Sequence, residues 1–122
     1  MTLLARPAAR LDGDAIGRSA ADCLKLEIAT YPKPGLVSPV DTGAHDDMDA
    51  PMMDRSADTL APFFARLVRA GADGAAMDVL RAIGIAAEAA MMRATGGVNT
   101  HRGAIFGMGL LCAGAGFRRR FG

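Results

Sequence analysis

Apolar residues recur every three or four positions in four stretches of the chain, which is the spacing of helices that bury one face. β-Branched residues are few, and alanine and methionine, which favour helices, are common. We therefore predict an all-α fold, a helical bundle. The predicted helices cover residues 14–30, 55–70, 75–94 and 101–117. Pro62 falls within the second of them, so that helix either starts near Thr59 or bends at the proline.

The first predicted helix carries a carboxylate on the face that we expect to be buried. Ile16, Ala20 and Cys23 mark this face, and at 100° per residue Glu27 falls among them. A buried carboxylate costs roughly several kcal/mol unless it is paired or protonated. We therefore predict that Glu27 is largely buried and faces the loop at Lys33 and the start of the last helix, as a general base or in a structural ion pair. An exposed Glu27 would contradict both the helical phase and this argument for a base.

A long segment without helical periodicity, residues 31–53, separates the first two predicted helices. A loop of more than about 15 residues in a small domain is usually functional or disordered, and its four prolines favour function. The segment contains the sequence HDDMD, residues 45–49. Carboxylates are preferred ligands of Mg²⁺, which often bridges protein carboxylates to substrate phosphates. We therefore predict a Mg²⁺ site that includes Asp47, with a solvated acidic turn as the alternative.

The sequence TGGVNTHRG, residues 95–103, leads into the last predicted helix. A helix start presents unpaired backbone N–H groups and the positive end of the helix dipole, which together attract phosphate. It is neither a Walker loop nor a dinucleotide-binding turn. An ordinary glycine hinge, capped by Asn99 or Thr100, is the alternative. The predicted phosphate ligands are Lys33, Gly97, Asn99, Thr100, His101 and Arg102.

Charge and hydropathy limit the partners of the chain. With 14 basic and 13 acidic residues, its net charge of +1 gives no general attraction for nucleic acid or an anionic membrane. Residues 103–117 carry no charge, but this run is shorter than the roughly 20 residues that span a bilayer. We therefore predict a helix buried on every side. Such a helix needs many neighbours, so residues 1–122 are predicted to be a single helical domain or a fragment, completed by a C-terminal half or a homo-oligomer.

The N-terminus and the cysteines indicate the cellular compartment in which the protein is expected. Arg6, Pro7 and Arg10 interrupt the apolar residues near the start, so no export signal is visible, and residues 1–12 are predicted to be flexible. Cys23 and Cys112 are far apart in the sequence and form no CxxC pattern. We therefore expect two free thiols in a cytoplasmic protein.

Three ordered motifs resemble those of the triphosphoribosyl-dephospho-CoA synthase family. Residues 27–37 resemble its ExxTxPKPGLV motif, and residues 43–48 resemble GAHxDM. Glu88 and residues 95–106 resemble AExxM followed by TGGVNTHKGAIF. Arg102 stands where lysine is commoner in the family, a change that keeps the charge but not the geometry. Members of the family are usually considerably longer than this chain.

The resemblance implies an all-helical enzyme that transfers the triphosphoribosyl group of ATP to the 2'-hydroxyl of 3'-dephospho-CoA and releases adenine. The product is the precursor of the prosthetic group on the acyl carrier subunit of malonate decarboxylase or citrate lyase. The resemblance also implies catalytic roles for Glu27, Glu88 and His45, and Mg²⁺ bound with ATP near Asp47. A truncated, inactive fragment that binds nucleotide or CoA is the alternative.

Overall fold

A computed structural model describes residues 12–122, which form four helices and no strand, so the predicted all-α class is confirmed. The helices are α1 (Gly13–Ala29), α2 (Ala50–Ala72), α3 (Met77–Ala94) and α4 (Arg102–Phe121). The predicted flexibility of the N-terminus concerns residues that lie outside the described part, except for Asp12. Its carboxylate accepts the N–H of Ala15 at 3.0 Å and thereby caps α1.

Helix α2 lies at the centre and packs against the other three helices. Its side chains Leu60, Phe64 and Val68 are fully buried and meet Met91 of α3 and Cys112 of α4 in one apolar cluster. Where α2 crosses α4, the two backbones come into direct contact through glycines. An added Cβ at Gly71 or at Gly116 would lie 1.9 Å from a backbone oxygen of the other helix. The α2–α4 crossing therefore depends on the absence of side chains at these two positions.

The second helix begins earlier than predicted. The loop predicted over residues 31–53 ends at Asp49, because α2 starts at Ala50. The carboxylate of Asp49 accepts the N–H of Met52 at 3.0 Å, and Pro51 occupies the first turn, where a missing N–H costs nothing. Helix α2 also runs through Pro62 and does not start near Thr59.

The predicted phase of α1 is wrong. Its buried residues are Gly13, Gly17, Ala20, Ala21 and Ile28, whereas Cys23 and Glu27 are exposed. The reason is the close packing of glycine on α2, since a Cβ at Gly17 would lie 2.6 Å from the backbone nitrogen of Ala65. The contact face of α1 therefore includes glycines that the apolar pattern did not mark, together with Ile16 and Ile28.

Helix α4 is not buried on every side in this chain, contrary to the prediction. Phe106, Leu111 and Phe117 are 73%, 68% and 50% exposed. A groove of about 430 Å³ separates α4 from α3, lined mainly by apolar side chains that include the exposed Ile85 and Leu110. Within residues 12–122, no helix combines the length and the apolar character needed to cross a membrane.

Both cysteines are free, as expected from their separation in the sequence. Cys23 is exposed on α1, whereas Cys112 lies in the core between α4 and α2. Burial disfavours the thiolate and raises the pKa of Cys112 to about 11. Cys112 is therefore a packing residue without nucleophilic character at neutral pH.

The exposed apolar face of α3 and α4 is expected to make the isolated chain self-associate. Contiguous exposed apolar surface of this kind usually marks an interface or an aggregation site. Light scattering coupled to gel filtration should show a mass that rises with protein concentration, and Phe106→Ser should reduce that rise. Val40→Ser is the matched control, because Val40 is 68% exposed against 73% for Phe106 but lies on the loop between α1 and α2. A monodisperse monomer with a high melting temperature would contradict this expectation.

Candidate functional site

Polar side chains from three parts of the chain gather where α1 ends and α4 begins. The loop after α1 folds back so that the Lys33 ammonium donates to the Glu27 carboxylate at 3.0 Å. The same ammonium also donates to the backbone carbonyls of Glu27 and Ile28 in the last turn of the helix. The Lys33 side chain is only 11% exposed, whereas that of Glu27 is 55% exposed. Lys33 is thus a fixed cation, and it holds Glu27 at the rim of the cluster.

The prediction for Glu27 is wrong about its burial but correct about its position facing the loop at Lys33. Its predicted burial is wrong, so the argument that desolvation makes it a base does not hold. It does form the ion pair with Lys33 that the sequence left open, and its charge acts on His101 at the start of α4. Any role for Glu27 rests on its position next to these two residues.

The loop before α4 is built around two glycines and a buried threonine. Gly96 and Gly97 have positive φ angles of 66° and 96°, which side-chain-bearing residues rarely adopt. Thr95 is buried, and its hydroxyl oxygen accepts the N–H of Val98 at 3.1 Å. These contacts close a tight turn. The turn brings the chain back across the end of the bundle, so that α4 starts beside α2.

The first turn of α4 offers fewer free N–H groups than the sequence suggested. The side-chain oxygen of Asn99 accepts the N–H of Arg102 at 3.2 Å, although the N-cap position is held by His101 and not by Asn99 or Thr100. The N–H groups of Gly103 and Ala104 make no hydrogen bond within residues 12–122. These two groups and the Arg102 side chain are thus the donors that α4 offers to an anion.

His101 points inward, toward α2. It is only 6% exposed, and its Nδ1 lies 2.7 Å from the hydroxyl of Ser56. The Ser56 hydroxyl also lies 2.6 Å from the hydroxyl of Thr100. Burial lowers the pKa of His101, and the negative charge of Glu27 opposes this only in part. His101 is therefore neutral near pH 7 and offers no positive charge to a phosphate.

Arg102 faces away from His101, toward α3. Its guanidinium pairs with the carboxylate of Glu88 at 2.5 Å. This pair lines one end of the groove between α3 and α4. Glu88 and Glu27 therefore have separate cationic partners, Arg102 and Lys33.

His45 and Asp47 form no hydrogen bond or ion pair with the other predicted site residues. Both lie on the loop between α1 and α2, and Asp47 is exposed. Their side chains make no hydrogen bond or ion pair with the Glu27 or Arg102 side chains. Among the described residues, no three His, Cys, Asp or Glu side chains are grouped so as to hold a metal ion. Residues 12–122 therefore do not fit a metal held by the protein alone.

Sequence reasoning missed Ser56, which joins α2 to the start of α4. Ser56 is fully buried in the second turn of α2. It precedes Leu60 by one helical turn and Phe64 by two, so it lies on the apolar stripe of the helix. A hydroxyl on such a stripe needs a buried partner. This feature of the sequence could have identified the residue.

Stability is expected to fall on mild acidification because His101 is neutral in the folded state. Its folded pKa is below the ordinary value of 6.5, so the unfolded chain binds more protons in this range and stability rises with pH. The urea midpoint should therefore decrease as the pH falls from about 7 toward 5. His101→Gln should flatten this slope. Equal slopes in the wild type and His101→Gln would contradict the assignment.

Comparison with known proteins identifies the relatives of the chain. Residues 13–121 match the family described as ATP:dephospho-CoA triphosphoribosyl transferase. A probable 2-(5''-triphosphoribosyl)-3'-dephosphocoenzyme-A synthase of Albidiferax ferrireducens is 47% identical over 110 residues, which are 85% of this chain and 36% of the relative. The synthase of Pectobacterium atrosepticum is 42% identical over 108 residues, 84% of this chain and 36% of the relative. A probable synthase of Lactiplantibacillus plantarum is 41% identical over 114 residues, 88% of this chain and 41% of the relative.

The chain thus spans between about a third and two fifths of the length of these relatives. No solved structure matches it.

Proposed function

Because this chain belongs to the ATP:dephospho-CoA triphosphoribosyl transferase family, we propose that it carries part of an active site that joins ATP to 3'-dephospho-CoA. The triphosphoribosyl group moves to the 2'-hydroxyl of dephospho-CoA, and adenine leaves. One observation carries the proposal: Glu27 forms an ion pair with Lys33, and its negative charge acts on His101, a residue of a second motif at the start of α4.

The proposed reaction breaks the bond between the ribose anomeric carbon of ATP and adenine. A new bond forms between that carbon and the 2'-oxygen of dephospho-CoA, whose proton goes to a base while adenine gains a proton. Positive charge develops on the ribose as adenine leaves, so a nearby carboxylate both stabilises it and accepts the proton. Glu27 and Glu88 are the two candidates. We assign the role to Glu27, because its negative charge acts on His101 at the start of α4, whereas Glu88 lines the groove between α3 and α4.

The proposed phosphate site lies at the start of α4. The Arg102 side chain is 61% exposed, so it has room to turn from Glu88 toward a triphosphate. A triphosphate binds a guanidinium more strongly than a single carboxylate does, because it carries more negative charge. The backbone N–H groups of Gly103 and Ala104 add donors at the positive end of the helix dipole. Gly97 allows the preceding turn, and Asn99 and Thr100 complete the loop. Lys33 supplies a second fixed positive charge from the other side of the cluster.

Mg²⁺ enters this proposal as part of the substrate, bound to the phosphates of ATP. Mg²⁺ is commonly held by one or two carboxylates together with substrate phosphates. Asp47 is the proposed carboxylate, and His45, two residues before it, is the proposed catalytic residue of the same loop. Their support is the resemblance of residues 43–48 to the family motif, and both require the loop to approach α4.

The proposed product is 2'-(5''-triphosphoribosyl)-3'-dephospho-CoA, which serves as prosthetic-group precursor for the acyl carrier subunit of malonate decarboxylase or citrate lyase. A cytoplasmic location goes with this proposal, since two free cysteines suit a reducing compartment. The second candidate is a binding part without catalysis of its own, favoured by the share of the relatives that the chain spans.

Equilibrium binding to this chain tests the phosphate site. MgATP and inorganic triphosphate should both bind, adenosine should bind far more weakly, and Arg102→Ala should weaken triphosphate binding about tenfold or more. Arg119→Ala is the matched control, because Arg119 is exposed on the same helix about 25 Å further along its axis. Equal losses of triphosphate affinity in the two variants would mean that triphosphate binds through nonspecific attraction to positive charge and that the proposed site is wrong.

A further inference from the structure

We propose that Ser56 and Thr100 fix His101 in the neutral tautomer that carries its proton on Nε2, so that the ring presents a hydrogen-bond donor to a substrate phosphate. The phosphate part of this inference rests on the proposed function, whereas the tautomer does not. Ser56 is then a positioning residue, since it acts on the substrate only through His101. None of the three family motifs contains it.

The hydroxyl of Ser56 forms its hydrogen bonds with residues at the start of α4 and not with its own helix. Thr30, Thr59 and Thr95 each donate a hydrogen bond to the backbone carbonyl four residues earlier. Ser56 makes no such bond within the described residues, and its oxygen lies instead 2.6 Å from Thr100 Oγ1 and 2.7 Å from His101 Nδ1. Because Ser56 is fully buried, no water competes for its hydroxyl.

The number of hydroxyl protons favours one protonated nitrogen of His101 over the other. A hydroxyl has one proton to donate. If Ser56 donates to Nδ1, Thr100 donates to Ser56, and both hydroxyl protons are used. If Nδ1–H donates to Ser56 instead, Ser56 donates to Thr100, and the proton of the half-buried Thr100 hydroxyl is left to solvent. The first arrangement keeps both hydroxyl protons in hydrogen bonds within the protein and leaves the ring proton on Nε2.

The remaining nitrogen is available to a ligand. No hydrogen bond within the described residues reaches His101 Nε2. The buried ring is neutral near pH 7, so it keeps one donor and one acceptor, and Ser56 occupies the acceptor. Glu27 on α1 is the charged group that acts on the ring, and its carboxylate favours a proton on it. His101 therefore offers directional hydrogen bonding, while Arg102 and Lys33 supply the positive charge.

The tautomer is measured directly by NMR of this chain labelled with ¹⁵N-histidine. His101 should show an unprotonated Nδ1 and a protonated Nε2, and His45→Gln assigns the signals because the chain has two histidines. Ser56→Ala should shift His101 toward a mixture of tautomers and weaken inorganic triphosphate binding about fivefold. Ser56→Cys keeps the size of the side chain but donates weakly, so it should move both readouts in the same direction by less.

The outcomes separate this inference from the proposed function. A protonated Nδ1 in the wild type would overturn the inference even if triphosphate binds. An unprotonated Nδ1 in a chain that does not bind triphosphate would support the tautomer and overturn the phosphate role. Unchanged tautomer and unchanged affinity in both Ser56 variants would remove Ser56 as the positioning residue.

Discussion

Replacing Glu27 by glutamine is expected to lower adenine release by about a hundredfold or more while leaving the fold intact. The variant loses the charge that would stabilise the ribosyl transition state and the base that would accept the 2'-hydroxyl proton. Its amide oxygen still accepts the Lys33 hydrogen bond. The measurement uses a family-length chimera, in which residues 13–121 of this chain replace the matched stretch of the Albidiferax ferrireducens relative.

Asp22→Asn is the matched control for this experiment. Asp22 lies on the same helix, its side chain is 58% exposed against 55% for Glu27, and it pairs with a cation, Arg18, at 3.1 Å. The free energy of unfolding of both variants should lie within about 1 kcal/mol of that of the parent, because exposed ion pairs contribute little to stability. Only Glu27→Gln should lose turnover. Undiminished turnover would remove Glu27 from the mechanism and leave Glu88 as the carboxylate to test.

Adding a single methyl group at the α2–α4 crossing is expected to destabilise the chain by about 3 kcal/mol or more. In Gly71→Ala and Gly116→Ala the new Cβ would lie 1.9 Å from a backbone oxygen of the facing helix. Backbone atoms cannot turn aside as a side chain can, so the two helices must separate. The urea midpoint of each variant measures the loss, and a variant that fails to fold satisfies the expectation.

Gly84→Ala and Gly107→Ala are the controls for the crossing. Both glycines lie inside helices, on α3 and α4, and no atom lies within 4 Å of the position of an added Cβ. Alanine there should stabilise the chain by about 0.5–1 kcal/mol, since glycine weakens a helix interior. If Gly71→Ala were as stable as Gly107→Ala, the close approach of α2 and α4 would be wrong.

Hydrophobic periodicity predicted the class of the fold and the order of its helices, because each helix buries part of its surface against α2. It failed on α1, where Gly17 rather than a large apolar residue makes the closest contact. Close backbone packing is a property of two helices together, so no pattern within one of them reveals it. The start of α2 was misjudged because Pro51 counted as a loop residue, although proline is favoured in a first helical turn.

The candidate site was predictable in its residue types but not in its pairings. Lys33 and Glu27 are six positions apart, and only the fold of the loop back onto α1 makes them partners. Arg102 and Glu88 meet because α3 and α4 lie side by side, a relation that neither sequence motif contains. His101 was expected among the phosphate ligands at the helix start, but the sequence did not show that its ring turns inward, where Ser56 occupies Nδ1 and leaves only Nε2 for a ligand.

Identifying the bond that breaks in ATP tests the central claim most directly. The chimera is incubated with MgATP and dephospho-CoA, and the products are separated, identified and quantified by mass spectrometry. The proposed function predicts adenine and the joined triphosphoribosyl product in equal amounts. Release of ADP or AMP without adenine would mean phosphoryl or adenylyl transfer and would contradict the proposed function. If the chimera folds and binds ATP but forms no product, this chain binds nucleotide without supporting catalysis.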